Sequence, residues 1–416
     1  MSAQSVRAAV IVTGDEVLGG RVSEKNAAFI ARDLAARGVT LERTVIIGDS
    51  RDAIARTITE LIGGGLRLLC LTGGLGPTYD DLTMQAVADA TGRDLALNDA
   101  ALEMVRDRSR GVRRQMHITD DELEAMRRKQ ATIPAGATVL APVGTAPGCV
   151  LVHDRCVVVV LPGPPAEAHP MWDQALDDPA VADLFRQATA TPKRILRTWG
   201  VVESELMTAL NTLPDGTLAR IGTYTRSGEL EIVSPAEIAD QVGAVLEAHF
   251  PHSVFARDGE QVETMVATLL EQRSERLAVA ESCTGGGLGA RLTSLPGASS
   301  WFDGGVIAYS NAVKESLLGV PSDIIARFGA VSVECAAAMA DGARSATGAQ
   351  WGVSITGIAG PDGGTDDKPV GTVCIGIAGP TTTATSTRFW GRDRESIRLR
   401  AQTAALHHLR WALQNR

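Results

Sequence analysis

The stretch LAVAESCTGGGLGARL, residues 277–292, passes from a short apolar run through a serine and three glycines into a helical pattern. A buried strand, a tight turn and a helix in that order form the repeating step of an α/β fold. The turn sets Ser282 at the carboxyl end of a strand, where open α/β sheets bind their ligands. Working outward, a helix is expected over Val262 to Gln272, and downstream the strand GGVIAYS precedes two or three helices and the strand WGVSIT. A glycine-rich loop, GIAGPDGGTDDKP, a hairpin made of VGTVCIGIA and TTATSTRFW, and a long C-terminal helix complete this part.

The same alternation appears near the N-terminus. AAVIVT, a helical stretch from Asn26 to Arg37, LERTVII, a helix from Asp52 to Ile62, LRLLCLT and a helix after Pro77 predict a doubly wound α/β unit. Asn98 to Lys129 reads as helical, and VVVVLPGPP closes the unit with one more buried strand. From about Trp172 to Arg257 the pattern weakens to a small α+β connector. A chain of 416 residues has room for several cores, and the divisions expected are 1–172, 173–257 and 258–416.

Composition removes several classes of function. No apolar run reaches the roughly 18 residues of a membrane span, and no basic segment followed by a long apolar stretch opens the chain. The six cysteines form no Cys-x-x-Cys pair and keep no metal-ligand spacing with histidine, as expected of reduced thiols in a cytoplasmic protein. A net charge of −9 argues against nucleic acid as a partner, because binding to a phosphate backbone rests on basic surface. Of 40 basic residues only five are lysine: Lys25, Lys129, Lys193, Lys314 and Lys368. Arginine stays protonated and makes a poor base, so a lysine retained in such a chain is a candidate for chemistry.

Serine is also a preferred helix N-cap, so the turn around Ser282 alone fits a purely structural role. The search for a base shifts that balance. Beyond Asp258 the only histidines, His407 and His408, lie deep in the C-terminal helix, and the only lysines are Lys314 and Lys368. Lys314 follows the strand end AYSNAVK, a second strand-to-helix junction that a parallel sheet brings beside the first, with Tyr309 at the same strand end. A Ser/Lys pair with a nearby tyrosine is one solution to acyl transfer. The free N–H groups of the helix after Ser282 are expected to hold an oxyanion or a phosphate.

The strings AESCTGG, PGASSWF, GGVIAYSNAVKESLLGV, GAVS, TGIAGPDGG, KPVGTV and GRDRESIR span most of Leu277 to Arg400. Through them this part resembles the nicotinamide-nucleotide amidohydrolase domain, the PncC type, of the CinA (competence/damage-inducible) family. The resemblance implies an amidohydrolase that deamidates nicotinamide mononucleotide without a cofactor. Ser282 is implied as nucleophile, Lys314 as general base and Tyr309 as an assisting hydroxyl, with Thr356 and Arg394 at substrate-associated positions. The substrate-binding set expected around them also includes Thr284, Gly285, Gly286, Asn311 and Gly357. A homodimer is implied by resemblance alone.

In the N-terminal part, TGGLGPTYDD follows LRLLCLT and opens a helix. Glycines allow a backbone to approach a phosphate, and Asp80 and Asp81 suit a hard divalent cation, although two aspartates at a helix start also serve as simple dipole-complementing caps. Together with GDEVLGG, Asn26, RRKQATIPAG, PVGTAPG and LPGPPAEAHPMW, the loop resembles the molybdopterin-binding-like domain of CinA proteins over Ala8 to Trp172. Glu24 and Asp15 stand where that family often has asparagine and threonine. The nucleotide site expected here comprises Asn26, Thr72, Gly73, Gly74, Gly76 and Asp80, with Asp81 as metal ligand. The resemblance implies a metal-dependent pyrophosphatase acting on ADP-ribose or a related dinucleotide as one alternative function, and a nucleotide- or pterin-binding accessory protein as another.

Overall fold

The computed structural model describes residues 6–110, 118–188, 193–389 and 393–415. Two compact units emerge, Met1–Pro192 and Lys193–Arg416. The middle of the helical segment expected over Asn98 to Lys129 lies outside the described residues; its ends form the helices Asp99–Ser109 and Asp120–Gln130.

In the first unit, strands β1 (Arg7–Thr13), β2 (Thr40–Ile47), β3 (Leu68–Thr72), β4 (Thr138–Leu140), β5 (Gly148–His153) and β6 (Cys156–Leu161) make one sheet in the order β2-β1-β3-β6-β5-β4. The first four strands of that order are parallel, and β5 and β4 extend them antiparallel. VVVVL is the buried strand expected there, and it runs through the middle of the sheet. Successive side chains of a strand point to opposite faces, so a strand covered on both sides must be apolar throughout. Val10 and Val12 pack with helices α1 (Asn26–Ala36) and α4 (Pro165–Leu176) on one face. Ala9 and Ile11 pack with α2 (Arg51–Gly63) and α3 (Thr83–Thr91) on the other. Residue 173, expected to begin the connector, lies inside α4, and Val181 and Leu184 beyond it join the same core as Trp172.

The second unit opens with an antiparallel sheet of β7 (Lys193–Trp199), β8 (Gly222–Arg226), β9 (Glu229–Pro235) and β10 (Val254–Ala256), ordered β8-β9-β7-β10. After α5 (Val262–Arg273) comes a second sheet made of β11 (Leu277–Glu281), β12 (Phe302–Ile307), β13 (Trp351–Gly357), β14 (Thr372–Ala378) and β15 (Thr382–Arg388). Its order is β12-β11-β13-β14-β15, with β12, β11 and β13 parallel and the hairpin antiparallel. Helices α6 (Gly287–Thr293), α7 (Asn311–Leu318), α8 (Val333–Thr347) and α9 (Arg394–Gln414) follow, with a short helix, Ser322–Phe328, between α7 and α8, while the helices Glu203–Leu210 and Ala236–His249 pack on the antiparallel sheet. Leu277 and Val279 face α5 and α9, whereas Ala278 and Ala280 face Leu318 and α8. The alternation that reads as one apolar run in sequence thus divides between two cores.

The antiparallel sheet is built onto α9. Trp199 stacks on His407 with ring centroids 4.6 Å apart, and Phe255 meets the same ring edge-on. His407 Nε2 lies 2.8 Å from Glu229 Oε1. Burial drives the imidazole down to about 4, against the pull of Glu229, so a neutral ring donates from Nε2 to the carboxylate. Arg197 donates to Glu229, Glu231 and the Gly259 carbonyl, which closes this seam.

Candidate active site

Two strand-to-helix junctions meet at the carboxyl ends of β11 and β12. Ser282 follows β11 directly, and its N–H donates to the Ile355 carbonyl of β13 at 2.8 Å, fixing the start of the turn. Gly285 and Gly286 take positive φ values of 61° and 92°, a region that favours glycine, so the chain reverses sharply into α6. A Cβ at Gly286 would also press on Ile307 Cδ1 at 3.0 Å. At the second junction Ser310 caps α7 by accepting from Val313 N–H. One turn into that helix, Lys314 points back under the strand ends.

Lys314 is 1% exposed. Its Nζ donates to Ser282 Oγ at 3.1 Å and to the Ala308 carbonyl at 2.7 Å. Burial lowers the Lys314 pKa, with the neighbouring Cys335 and Cys283 thiols opposing the shift. A buried amine beside a hydroxyl, with one carbonyl for company and a depressed pKa, has the arrangement a lysine needs to accept a proton. Cys283, the neighbour of the serine, is itself buried, and its thiol is pushed up to about 11 by that burial. It is not poised as a competing nucleophile.

The other expected residues divide around this pair. Thr356 and Gly357 end β13 next to the serine turn: the Thr356 hydroxyl donates to Ala330 O, and a Cβ at Gly357 would come within 3.1 Å of Cys283 Sγ. Tyr309 is 62% exposed, and its hydroxyl accepts from Arg394 at 3.0 Å; no hydrogen bond joins it to Ser282 or Lys314. Arg394 also donates to Gly360 O, so it ties the tyrosine to the glycine-rich loop after β13. Asn311, the first residue of α7, is exposed and stands outside the pair. Thr284 is fully buried, and its Oγ1 lacks a hydrogen-bond partner.

One expectation is corrected. The N–H groups at the start of α6 are not free for an oxyanion or a phosphate. Glu281, the last residue of β11, accepts from Gly286 N–H, Leu288 N–H and Gly289 N–H at 2.8–3.1 Å. Sequence reasoning passed over this glutamate, although a carboxylic side chain directly before a glycine-rich helix start is itself a signal. It also passed over Arg398, one turn after Arg394 on α9, which donates to Thr284 O at 2.7 Å and lies, with Arg394, close enough to lower the Cys283 pKa. The Ala308 carbonyl carried no sequence signal, because a backbone acceptor has no residue type.

In the first unit, Asn26, Thr72, Gly73, Gly74, Gly76, Asp80 and Asp81 all line one cavity of about 610 Å³ at the carboxyl ends of the strands. Asn26 Nδ2 donates to Gly163 O, while Asn26 Oδ1 and Thr72 Oγ1 are buried without partners. Gly73 and Gly74 adopt φ values of 105° and 63°, and a Cβ on either would strike Thr13 or Thr83, so only glycine fits. The two aspartates are not at a helix start, since α3 begins at Thr83. They fold back on Thr78 instead: its hydroxyl lies 2.5 Å from Asp80 Oδ1 and 2.6 Å from Asp81 Oδ2, with one proton to donate to either, and its N–H donates to Asp81 Oδ2. Lys129 donates to Thr78 O. Across the cavity Asp49 is raised by burial and by Asp15, Glu16 and Asp80, and burial raises Glu167. Glu24 accepts from Ala27 N–H and so caps the first turn of α1. Among the described residues no three His, Cys, Asp or Glu side chains converge as a ready-made metal cage.

Two family models match separate parts of the chain. Residues 9–182 match the model of a probable molybdopterin binding domain, and residues 259–413 match that of the CinA C-terminal domain. The crystal structure of a competence-damaged protein (CinA) superfamily protein from Klebsiella pneumoniae aligns at 35% identity over 37% of this chain and 97% of its own, with a TM-score of 0.36. A CinA-like protein of Mycobacterium tuberculosis is 42% identical, covering 99% of this chain and 98% of the relative. Another, from Mycolicibacterium vanbaalenii, is 44% identical over 98% of this chain and 99% of its own length. On similarity that runs along almost the whole of its length, the chain belongs to the CinA-like protein family.

Proposed function

We propose that the second unit deamidates nicotinamide mononucleotide to nicotinic acid mononucleotide and ammonia. The observation that carries this reading is the 3.1 Å contact between the buried Lys314 amine and Ser282 Oγ. With Lys314 neutral, the serine O–H donates to Nζ and the oxygen attacks the carboxamide carbon as its proton moves to the amine. The C–N bond then breaks, Lys314 returns the proton to the leaving nitrogen, and ammonia departs. Water attacks the resulting ester, giving its proton to Lys314, and Ser282 is released as it takes that proton back. Arg394 and Arg398 supply positive charge beside the turn, suited to a substrate phosphate.

This sequence routes no step through a metal. Ammonia release from nicotinamide mononucleotide is therefore expected to be unchanged by a chelator, and NAD and ADP-ribose assayed beside it define the substrate range. Chelator-sensitive deamidation would reject the reading.

A second reading is favoured by the acidic cavity of the first unit. Its donors are hard carboxylate oxygens: burial first, and then the charges of Asp15, Glu16 and Asp80, raise Asp49, and a bound cation would offset that crowding of negative charge. Magnesium is often bound by one or two carboxylates together with substrate phosphates, a mode that Asp80 and Asp81 fit beside the glycine loop. Once bound, such an ion would polarise a pyrophosphate, while Gly73, Gly74 and Gly76 admit it and the buried Asn26 and Thr72 offer acceptors to the rest of a nucleotide. Phosphate-containing products from ADP-ribose are expected only with a divalent cation, and Asp81→Ala is expected to remove them while leaving deamidation intact. Cleavage that is metal-independent, or unimpaired in Asp81→Ala, would rule this out.

A further inference from the structure

Glu281 is 1% exposed, and every hydrogen bond found for its side chain comes from a backbone N–H. Oε2 accepts from Gly286 at 3.1 Å and Leu288 at 3.0 Å, and Oε1 from Gly289 at 2.8 Å. A helix start normally leaves such donors unsatisfied. Here a residue of the chain satisfies three of them. The strand that delivers Glu281 is the strand that delivers Ser282, so the side chain binds forward across the turn while the next residue's N–H is held by Ile355 O. The turn is pinned at both ends, and the serine sits between the pins.

The glycine turn brings α6 close against α9: a Cβ at Gly287 would come within 2.4 Å of the Gln402 amide, which would have to shift.

Resting on the amidohydrolase reading above, we infer that Glu281 is a positioning residue: it clamps the start of α6 so that Ser282 Oγ is held at Lys314 Nζ. The isosteric Glu281→Gln puts an amide N–H₂ in place of one acceptor oxygen, facing backbone donors. A misplacement of about 1 Å at a reacting group costs on the order of 100-fold in rate. Glu281→Gln in the full chain is expected to lower kcat for nicotinamide mononucleotide by about that factor while KM stays within about threefold, because the clamp acts on the nucleophile and not on substrate contacts. The rate at which a fluorophosphonate labels Ser282 should fall in parallel, and the pH at which activity rises, set by Lys314, should not move. Glu281→Ala leaves a cavity shaped for a carboxylate, and formate, but not formamide, is expected to restore part of the lost rate.

Glu281→Gln with kcat and labelling rate within threefold of wild type would overturn the inference. So would loss of folding in both variants, since the side chain would then hold the domain together instead of placing the serine. Wild-type protein that turns over no nicotinamide mononucleotide would reject the amidase reading instead, and the labelling ratio between wild type and Glu281→Gln would still decide the role of Glu281.

Discussion

Replacing Lys314 by arginine is expected to abolish deamidation nearly as completely as Ser282→Ala, by on the order of 10³-fold or more, with both proteins folded. Arginine keeps the charge and most of the length, but it cannot give up its proton to become a base. Among the described residues Lys314 Nζ is met by Ser282 Oγ and the Ala308 carbonyl, so a guanidinium there would find one hydroxyl and one backbone acceptor and no carboxylate. Because the two residues act as one unit, the double variant should be little worse than either single one. The pH dependence follows from the direction of the shift. Burial lowers the amine below its ordinary value of 10.5, so the neutral base appears as pH rises through the lowered value and activity levels off before free lysine would titrate. The linked effect on stability has the same sign: a pKa depressed in the folded state means that the unfolded chain binds more protons in the interval up to 10.5, so the penalty for burying Lys314 is relieved as pH climbs through that window. Near wild-type turnover in Lys314→Arg would make Lys314 a structural or phosphate-binding cation, and the base would have to be sought elsewhere.

The second large effect concerns where the catalytic unit can be cut. A fragment beginning at Asp258 contains all of β11 to β15 and, by sequence pattern, should fold and act alone. In the structure it would lose the Trp199 ring stacked on His407, the edge-on contact of Phe255 and the Glu229 partner of Nε2, uncovering part of α9. Removing a large aromatic from such a setting typically costs about 3–5 kcal/mol. Thermal melting of the Asp258 fragment is therefore expected well below that of a fragment beginning at Lys193, while both retain deamidation at a temperature where they are folded, because neither cut touches Ser282, Lys314 or Glu281. Equal melting temperatures would show that the antiparallel sheet contributes nothing to the stability of α9.

The parts of this molecule that were legible in the sequence are those in which side-chain type follows local geometry. Ala8 to Thr13 and Leu277 to Glu281 read as buried strands because apolar residues are required on both faces. Ser282 and Lys314 read as a pair because histidine was absent from the plausible positions and lysine was scarce in the chain. What stayed hidden depends on contacts distant in sequence or on the backbone. The antiparallel extension by β4 and β5 rests on short strands whose pairing no turn signal fixes. The packing of Trp199 and Glu229 on His407 joins residues some 180 to 210 positions apart. Glu281 was visible as a residue but not as a cap, because its partners are N–H groups that look alike in every residue. Asp80 and Asp81 were read as a helix start, whereas Thr78 draws both back into the loop and the helix begins two residues later, at Thr83.

The Ser/Lys mechanism requires a covalent bond at Ser282. Full-length protein turning over nicotinamide mononucleotide in the presence of a chelator, quenched in acid and digested, should yield the peptide containing Ser282 with the added mass of the substrate less ammonia, while Ser282→Ala protein gives neither the adduct nor ammonia. Ammonia released by Ser282→Ala at the wild-type rate would contradict it.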